Sequence, residues 1–168
     1  MKRLTFLVAA SLSYSCAFAD GKECTFATLN GKDALGANAT HFTGALGQAT
    51  GGNFAGERSW GLTPAQFAQV ALFAPEATDV GVSTYRGKIH RLDIAYPVET
   101  RPIEAMESNL SKCFARLTSR CWASATKQYY ITAQVGAQVG LIMFSPEHAP
   151  PQSRGVPVNC RAEPRSQQ

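Results

Sequence analysis

Beyond its N-terminal end this chain of 168 residues lacks any long apolar run. The best later stretch, Val139 to Phe144, falls far short of the roughly 20 residues that a membrane-crossing helix needs. It has no C-x(2-4)-C pair, and His41, His90 and His148 stand singly rather than as H-x(3-5)-H, so neither a zinc site nor any other metal site is expected. The nucleophile elbow G-x-S-x-G is missing, and Ser59, Ser83 and Ser145 have no motif around them. Carboxylates such as Glu57, Asp79, Asp93 and Glu147 offer no more for glycoside cleavage than any soluble protein does. No catalytic residue and no cofactor is therefore assigned. No run of like charge exceeds two residues, and basic and aromatic residues do not interleave, which argues against nucleic acid as a partner. Internal repeats are absent as well.

What the chain does have begins at its N-terminus. Lys2 and Arg3 precede the apolar run "LTFLVAASLSYSCAF", which ends at the small-x-small site Ala17, Phe18, Ala19. That is the plan of a secretory signal peptide over residues 1–19, with cleavage after Ala19, and its core of about 15 residues is too short for an anchor. A periplasmic or extracellular protein starting at Asp20 is expected.

Export gives the cysteines a meaning. Once Cys16 leaves with the signal, Cys24, Cys113, Cys121 and Cys160 remain, an even number in an oxidising compartment, which reads as two disulfides. Of the three pairings, Cys113 with Cys121 across a helix end and Cys24 with Cys160 across the termini are expected. Charge is uneven. Residues 20–80 carry three basic and six acidic groups, and residues 81–168 eleven and six, so the halves stand at −3 and +5. A moderate basic face suits an acidic partner or an anionic envelope surface, but with no run of like charge longer than two residues ordinary solvated charge is the stronger reading.

Local patterns place the elements. "CTFATL", residues 24–29, reads as a short strand ended by the turn pair Asn30-Gly31. Seven glycines fall between Gly36 and Gly61, which predicts a glycine-rich loop over 36–61. Thr63, Pro64 and Gln66 form a capping box that opens a helix over 64–74, stopped by Pro75. Val80, Val82 and Thr84, then Leu92, Ile94 and Tyr96, alternate around Arg86-Gly87 as a hairpin with one face buried, and His90 falls on the face of Leu92 and Ile94 with no partner nearby in sequence. Ile103, Met106, Leu110, Phe114 and Leu117 recur at helical spacing, predicting a helix over 102–119. Two more strands turn around Gly136, and a proline-rich tail over 147–168 is expected to be extended and pinned at Cys160. The whole reads as a single α+β domain over 20–168: an antiparallel sheet built from two hairpins plus a short N-terminal strand, with two packed helices and two disulfides.

"TGGNFAGERSWG", residues 50–61, comes one residue from the phosphate-loop pattern G-x-x-x-x-G-K-[ST]. Glu57 stands where the lysine belongs and would repel a phosphate, and no helix starts close behind it, so nucleotide binding is not expected. The stretch reads either as a surface connector whose Trp60 packs on the following helix, or as a binding loop. In the second case Phe54, Arg58 and Trp60 are the candidate binding residues, since Trp, Arg and other aromatics anchor interfaces. Size, disulfides and compartment point to a small exported binding module that engages another protein as an inhibitor, immunity-type or adaptor protein. The alternatives are a small periplasmic hydrolase and a structural or assembly component of the envelope.

Overall fold

A computed structural model describes residues 26–74, 76–97, 103–125, 128–136 and 138–161. The expected signal peptide, Cys24 and the last seven residues lie outside them. The chain opens with β1 (Thr28–Leu29) and β2 (Lys32–Asp33), which pair around Asn30 and Gly31 at φ 52° and 71°. Two consecutive left-handed residues make the turn whose twist matches that of the flanking strands. Helix α1 (Thr40–Leu46), β3 (Thr50–Gly51) and β4 (Glu57–Leu62) follow. The stretch expected as a glycine-rich loop therefore holds a helix and two strands: Gly36, Gly47, Gly52 and Gly56 fall between the elements, while Gly44, Gly51 and Gly61 lie inside them.

The capping box at Thr63 and Gln66 is present and opens α2 (Pro64–Phe67). The helix tightens at once into a 3-10 turn, Ala68–Val70, and stops at Ala71, which is left-handed at φ 50°. Leu72–Phe73 then forms β5 and pairs with β1, so the segment ends as strand and not as the expected helix to residue 74. Next come β6 (Asp79–Tyr85) and β7 (Lys88–Tyr96), joined through Arg86 and Gly87 at φ 51° and 76°. Helix α3 (Ile103–Cys113) is shorter than the expected 102–119, since residues 115–118 leave it to form β8 (Ala115–Thr118). Strands β9 (Cys121–Ala123), β10 (Tyr130–Val135) and β11 (Val139–Phe144) complete the set.

The main sheet has eight antiparallel strands in the order β3-β4-β6-β7-β11-β10-β9-β8. Helix α3 carries the chain from β7 in mid-sheet to β8 at the far edge, and the last four strands step back inward until β11 closes on β7. This α+β arrangement is larger than two hairpins and an N-terminal strand. Strand β1 lies apart, in a small sheet of order β2-β1-β5.

One face of the main sheet carries Trp60, Leu62, Val80, Val82, Leu92, Ile94, Ile131, Leu141 and Met143 into a single apolar cluster with Phe42 of α1 and Met106 and Leu110 of α3. Each such fully buried aliphatic side chain contributes about 1.5–3 kcal/mol relative to leaving it in water. The opposite face is partly roofed by the C-terminal segment. Beneath that roof Cys121, Ala123, Tyr130 and Cys160 form a second, smaller cluster. The segment is not simply extended: it makes 3-10 turns at Pro151–Ser153 and Val158–Cys160 and buries Ala149 completely.

Cys121 and Cys160 form a disulfide, which fastens this roof to β9 and overturns both expected pairings at once. Cys113 is also disulfide-bonded, and its mate lies outside the described residues. The reason Cys113 and Cys121 do not meet is the sheet itself. Cys113 packs against the main core, whereas Cys121 belongs to the cluster under the roof, so a bond between them would have to pass through β9.

Candidate functional site

A β-bulge decides where His90 goes. In the β6–β7 pair Ser83 faces Arg91 and Thr84 faces Ile89, which leaves His90 as the extra residue. An extra residue breaks the strict alternation and re-aims its side chain. His90 consequently turns away from Leu92 and Ile94, onto the outer face with Arg91 and Asp93, where strict alternation would not have placed it.

There it meets the glycine loop. His90 Nε2 lies 2.8 Å from Glu57 Oε1, and the two side chains are 3% and 6% exposed. Because a carboxylate only accepts, Nε2 carries the proton and donates it. The other oxygen, Oε2, accepts the backbone N–H groups of Asn53 at 2.7 Å and Phe54 at 3.2 Å. A phosphate loop offers such N–H groups to an anion; here the chain's own Glu57 fills that role, which closes the question raised by the near-match. Gly52 makes the close approach possible, since a Cβ there would sit 2.5 Å from Glu57 Cβ.

Around this pair lies a hollow of about 250 Å³ lined by Asn53, Phe54, Ser83, Arg91, Asp93, Phe144 and Ser153. Arg91 grips Asp93 in a bidentate pair at 2.8 and 2.7 Å, which holds its guanidinium firmly protonated. Burial pushes the His90 pKa below its ordinary value, and the hydrogen bond and charge of Glu57 offset only part of that. The imidazole is thus neutral at pH 7, and its Nδ1 is buried without a partner among the described residues. The hydroxyls lining the hollow are engaged elsewhere: Ser83 bonds Ser59 at 3.0 Å and Ser153 donates to the Pro150 carbonyl at 3.0 Å. The arrangement holds an oriented imidazole and a locked loop.

A larger concavity runs between the outer face and the C-terminal roof. One part, about 370 Å³, is lined by Arg91, Tyr130, Thr132, Ile142 and Phe144 below and by residues 152–159 and Arg161 above. The adjoining part, about 990 Å³, continues past Leu117, Arg120 and Val135. Both share Gln134, Val158, Asn159 and Arg161, so they adjoin at the 3-10 turn that Cys160 anchors and make a trough in two parts, the smaller of which also shares Arg91, Phe144 and Ser153 with the hollow around Glu57 and His90. Six large apolar side chains are exposed among the described residues, and four of them, Leu117, Val135, Val156 and Val158, line this trough. Val158 is the most open at 76%.

The three candidate residues of the glycine stretch do not converge. Trp60 is 7% exposed and packs edge-on to Phe42 at 5.6 Å, so it is a core residue and not a surface anchor. Its ring lies against Phe42 of α1, ahead of it in sequence. Arg58 is exposed on β4, and Phe54, 37% exposed, sits at the rim of the smaller hollow. No exposed patch unites Phe54 with Trp60. The Glu57–His90 pair spans 33 residues and rests on a bulge, neither of which leaves a mark in the sequence. The trough had one faint signal: Val156 and Val158 in a proline-rich tail are apolar residues with no periodic core to enter.

Comparison with known proteins finds no match among family descriptions, curated proteins or solved structures. Among the described residues no group of three His, Cys, Asp or Glu side chains is placed to hold a metal ion, and no helix is long and apolar enough to cross a membrane.

Proposed function

We propose that this chain is a small exported binding module that engages another protein, in the manner of an inhibitor, immunity-type or adaptor protein. The observation that supports this reading best is the gathering of four of six exposed large hydrophobics in one trough. Scattered exposed side chains need no explanation, whereas a contiguous apolar patch in a concavity with polar walls is the usual mark of a docking surface. The contact surface accordingly moves from Phe54, Arg58 and Trp60 to the trough, with Phe54 and Arg58 as outlying contacts. Export through a cleaved signal peptide over residues 1–19 belongs to the same proposal, and the Cys121–Cys160 bridge supports it, because such bonds persist in oxidising compartments.

The test is a capture experiment with oxidised protein from Asp20 onward, run beside the variant Val135→Asp/Val158→Asp. Both residues are exposed, so the fold tolerates the change. A stoichiometric protein retained from envelope or culture-medium extract by the unaltered chain and lost from the variant is the expected result. Equal retention by both would refute the trough as the contact surface.

A further inference from the structure

The charge of the trough narrows the chemistry of what enters it. Four arginines line it, Arg91, Arg120, Arg154 and Arg161, and among the described residues no Asp or Glu does. Only Arg91 is neutralised, by Asp93. Arg154 and Arg161 each use Nε to hold a carbonyl of their own segment, Ala149 O at 3.0 Å and Val156 O at 3.3 Å. This fixes their stems and leaves the terminal nitrogens of both forks without a partner among the described residues. The Arg120 side chain likewise has none. Pre-oriented guanidinium forks recognise planar oxygen pairs better than flexible ammonium groups do.

Resting on the binding-module reading, we propose that the partner enters the trough with an acidic, partly apolar segment, its carboxylates meeting Arg120, Arg154 and Arg161 and its aliphatic side chains covering Leu117, Val135 and Val158. A nucleic acid would give the exposed valines nothing to pack on, and the two aromatics that line the trough, Tyr130 and Phe144, are buried and half-buried rather than presented as the open stacking platforms that single strands use. A flat anionic membrane would not follow a concave surface. Four of the eleven basic residues of 81–168 line the trough.

The experiment uses three fluorescently labelled peptides of equal length and equal valine content whose remaining positions are all Glu, all Gln or all Lys, read by fluorescence anisotropy against the oxidised protein. The Glu peptide should bind at least about tenfold more tightly than the Gln peptide, in line with the extra strength of hydrogen bonds to charged groups. Its affinity should drop as salt rises from about 0.1 M to about 1 M, which shortens the screening length from about 10 to about 3 Å. Arg154→Gln/Arg161→Gln should remove most of the preference, and Arg154→Glu/Arg161→Glu should transfer it to the Lys peptide, a gain that a misfolded variant cannot produce. Equal binding of the Glu and Gln peptides, or no binding by either, overturns the acidic assignment. So does a single-stranded oligonucleotide or an anionic vesicle that displaces the Glu peptide with undiminished affinity for the arginine variants. None of these outcomes touches the binding-module reading, which stands or falls on Val135→Asp/Val158→Asp in the capture experiment.

Discussion

His90 sets the energetics at the scale of single residues. Its pKa is lowered in the folded protein, so the native state resists a proton that the unfolded chain accepts near pH 6.5. Stability from this group is in place above that pH and is lost as pH falls through the folded value. Glu57 and Asp93 face the ring and favour its charged form, Arg91 opposes it, and desolvation exceeds them all. Replacing His90 by Leu leaves one oxygen of a buried carboxylate without its donor, a loss on the order of 1–3 kcal/mol. Urea midpoints measured at pH 7.5 and pH 5.5 should show the wild type losing more stability than His90→Leu over that interval. His41 and His148 are present in both proteins, so the difference belongs to His90. A variant that keeps the wild-type slope would show that the ring is not the group titrating. Nothing about the pair was legible beforehand, since Glu57 and His90 carry no local motif and the bulge that joins them depends on the register of β6.

Elements with strong local chemistry were readable, and those decided by tertiary pairing were not. Strands β6 and β7 showed period two and a turn pair, and the structure has them where expected. The capping box opened a helix as expected, but the pairing of Leu72 and Phe73 with β1 ended it early. Leu117 sat at helical spacing after Leu110, yet β8 takes it because Ala115 and Arg116 pair with Ala123 and Trp122. The Arg116 guanidinium then covers Trp122 at 5.6 Å and bonds the carbonyls of Thr118 and Ser119, which blunts this edge of the sheet. Turn chemistry also predicts its own failures. Gly87 has φ 76° and its carbonyl accepts from Ala39 N–H at the start of α1, so Gly87→Val should cost about 1–2 kcal/mol for the left-handed backbone. Gly61 lies within β4 with open space where a Cβ would go, so Gly61→Ala should be neutral or slightly stabilising. Chemical denaturation of the two variants side by side checks the contrast, and equal losses would refute it.

At the scale of the whole molecule the sheet separates two kinds of structure. Its inner face holds a large apolar core with the helices, and its outer face carries a small cluster, the buried Glu57–His90 pair and a roof of irregular chain fastened by the Cys121–Cys160 bridge. The Cys121–Cys160 bond closes a loop of sequence separation 39, which in the chain-entropy model contributes about 4 kcal/mol, less any strain. Sequence spacing favoured the neighbours Cys113 and Cys121 because it does not register which side of a sheet each residue faces. Phe26 packs on Phe114 at 5.9 Å, which brings the chain just after Cys24 beside the residue that follows Cys113. A peptide map under non-reducing conditions should therefore return Cys121 joined to Cys160 and Cys24 joined to Cys113, with no Cys113–Cys121 peptide. The Cys121–Cys160 bond anchors the wall of the trough, whereas Cys113 packs against the main core, so loss of the first bond should act on the roof and not on the core. Cys121→Ala/Cys160→Ala should leave a folded sheet by circular dichroism, lower its unfolding free energy by about 3–4 kcal/mol, and abolish retention of the partner, because Arg154, Val156, Val158 and Arg161 all ride on the segment it frees. Retention that survives in this variant would place the contact surface elsewhere than on the roof, on β8 and the exposed end of β10.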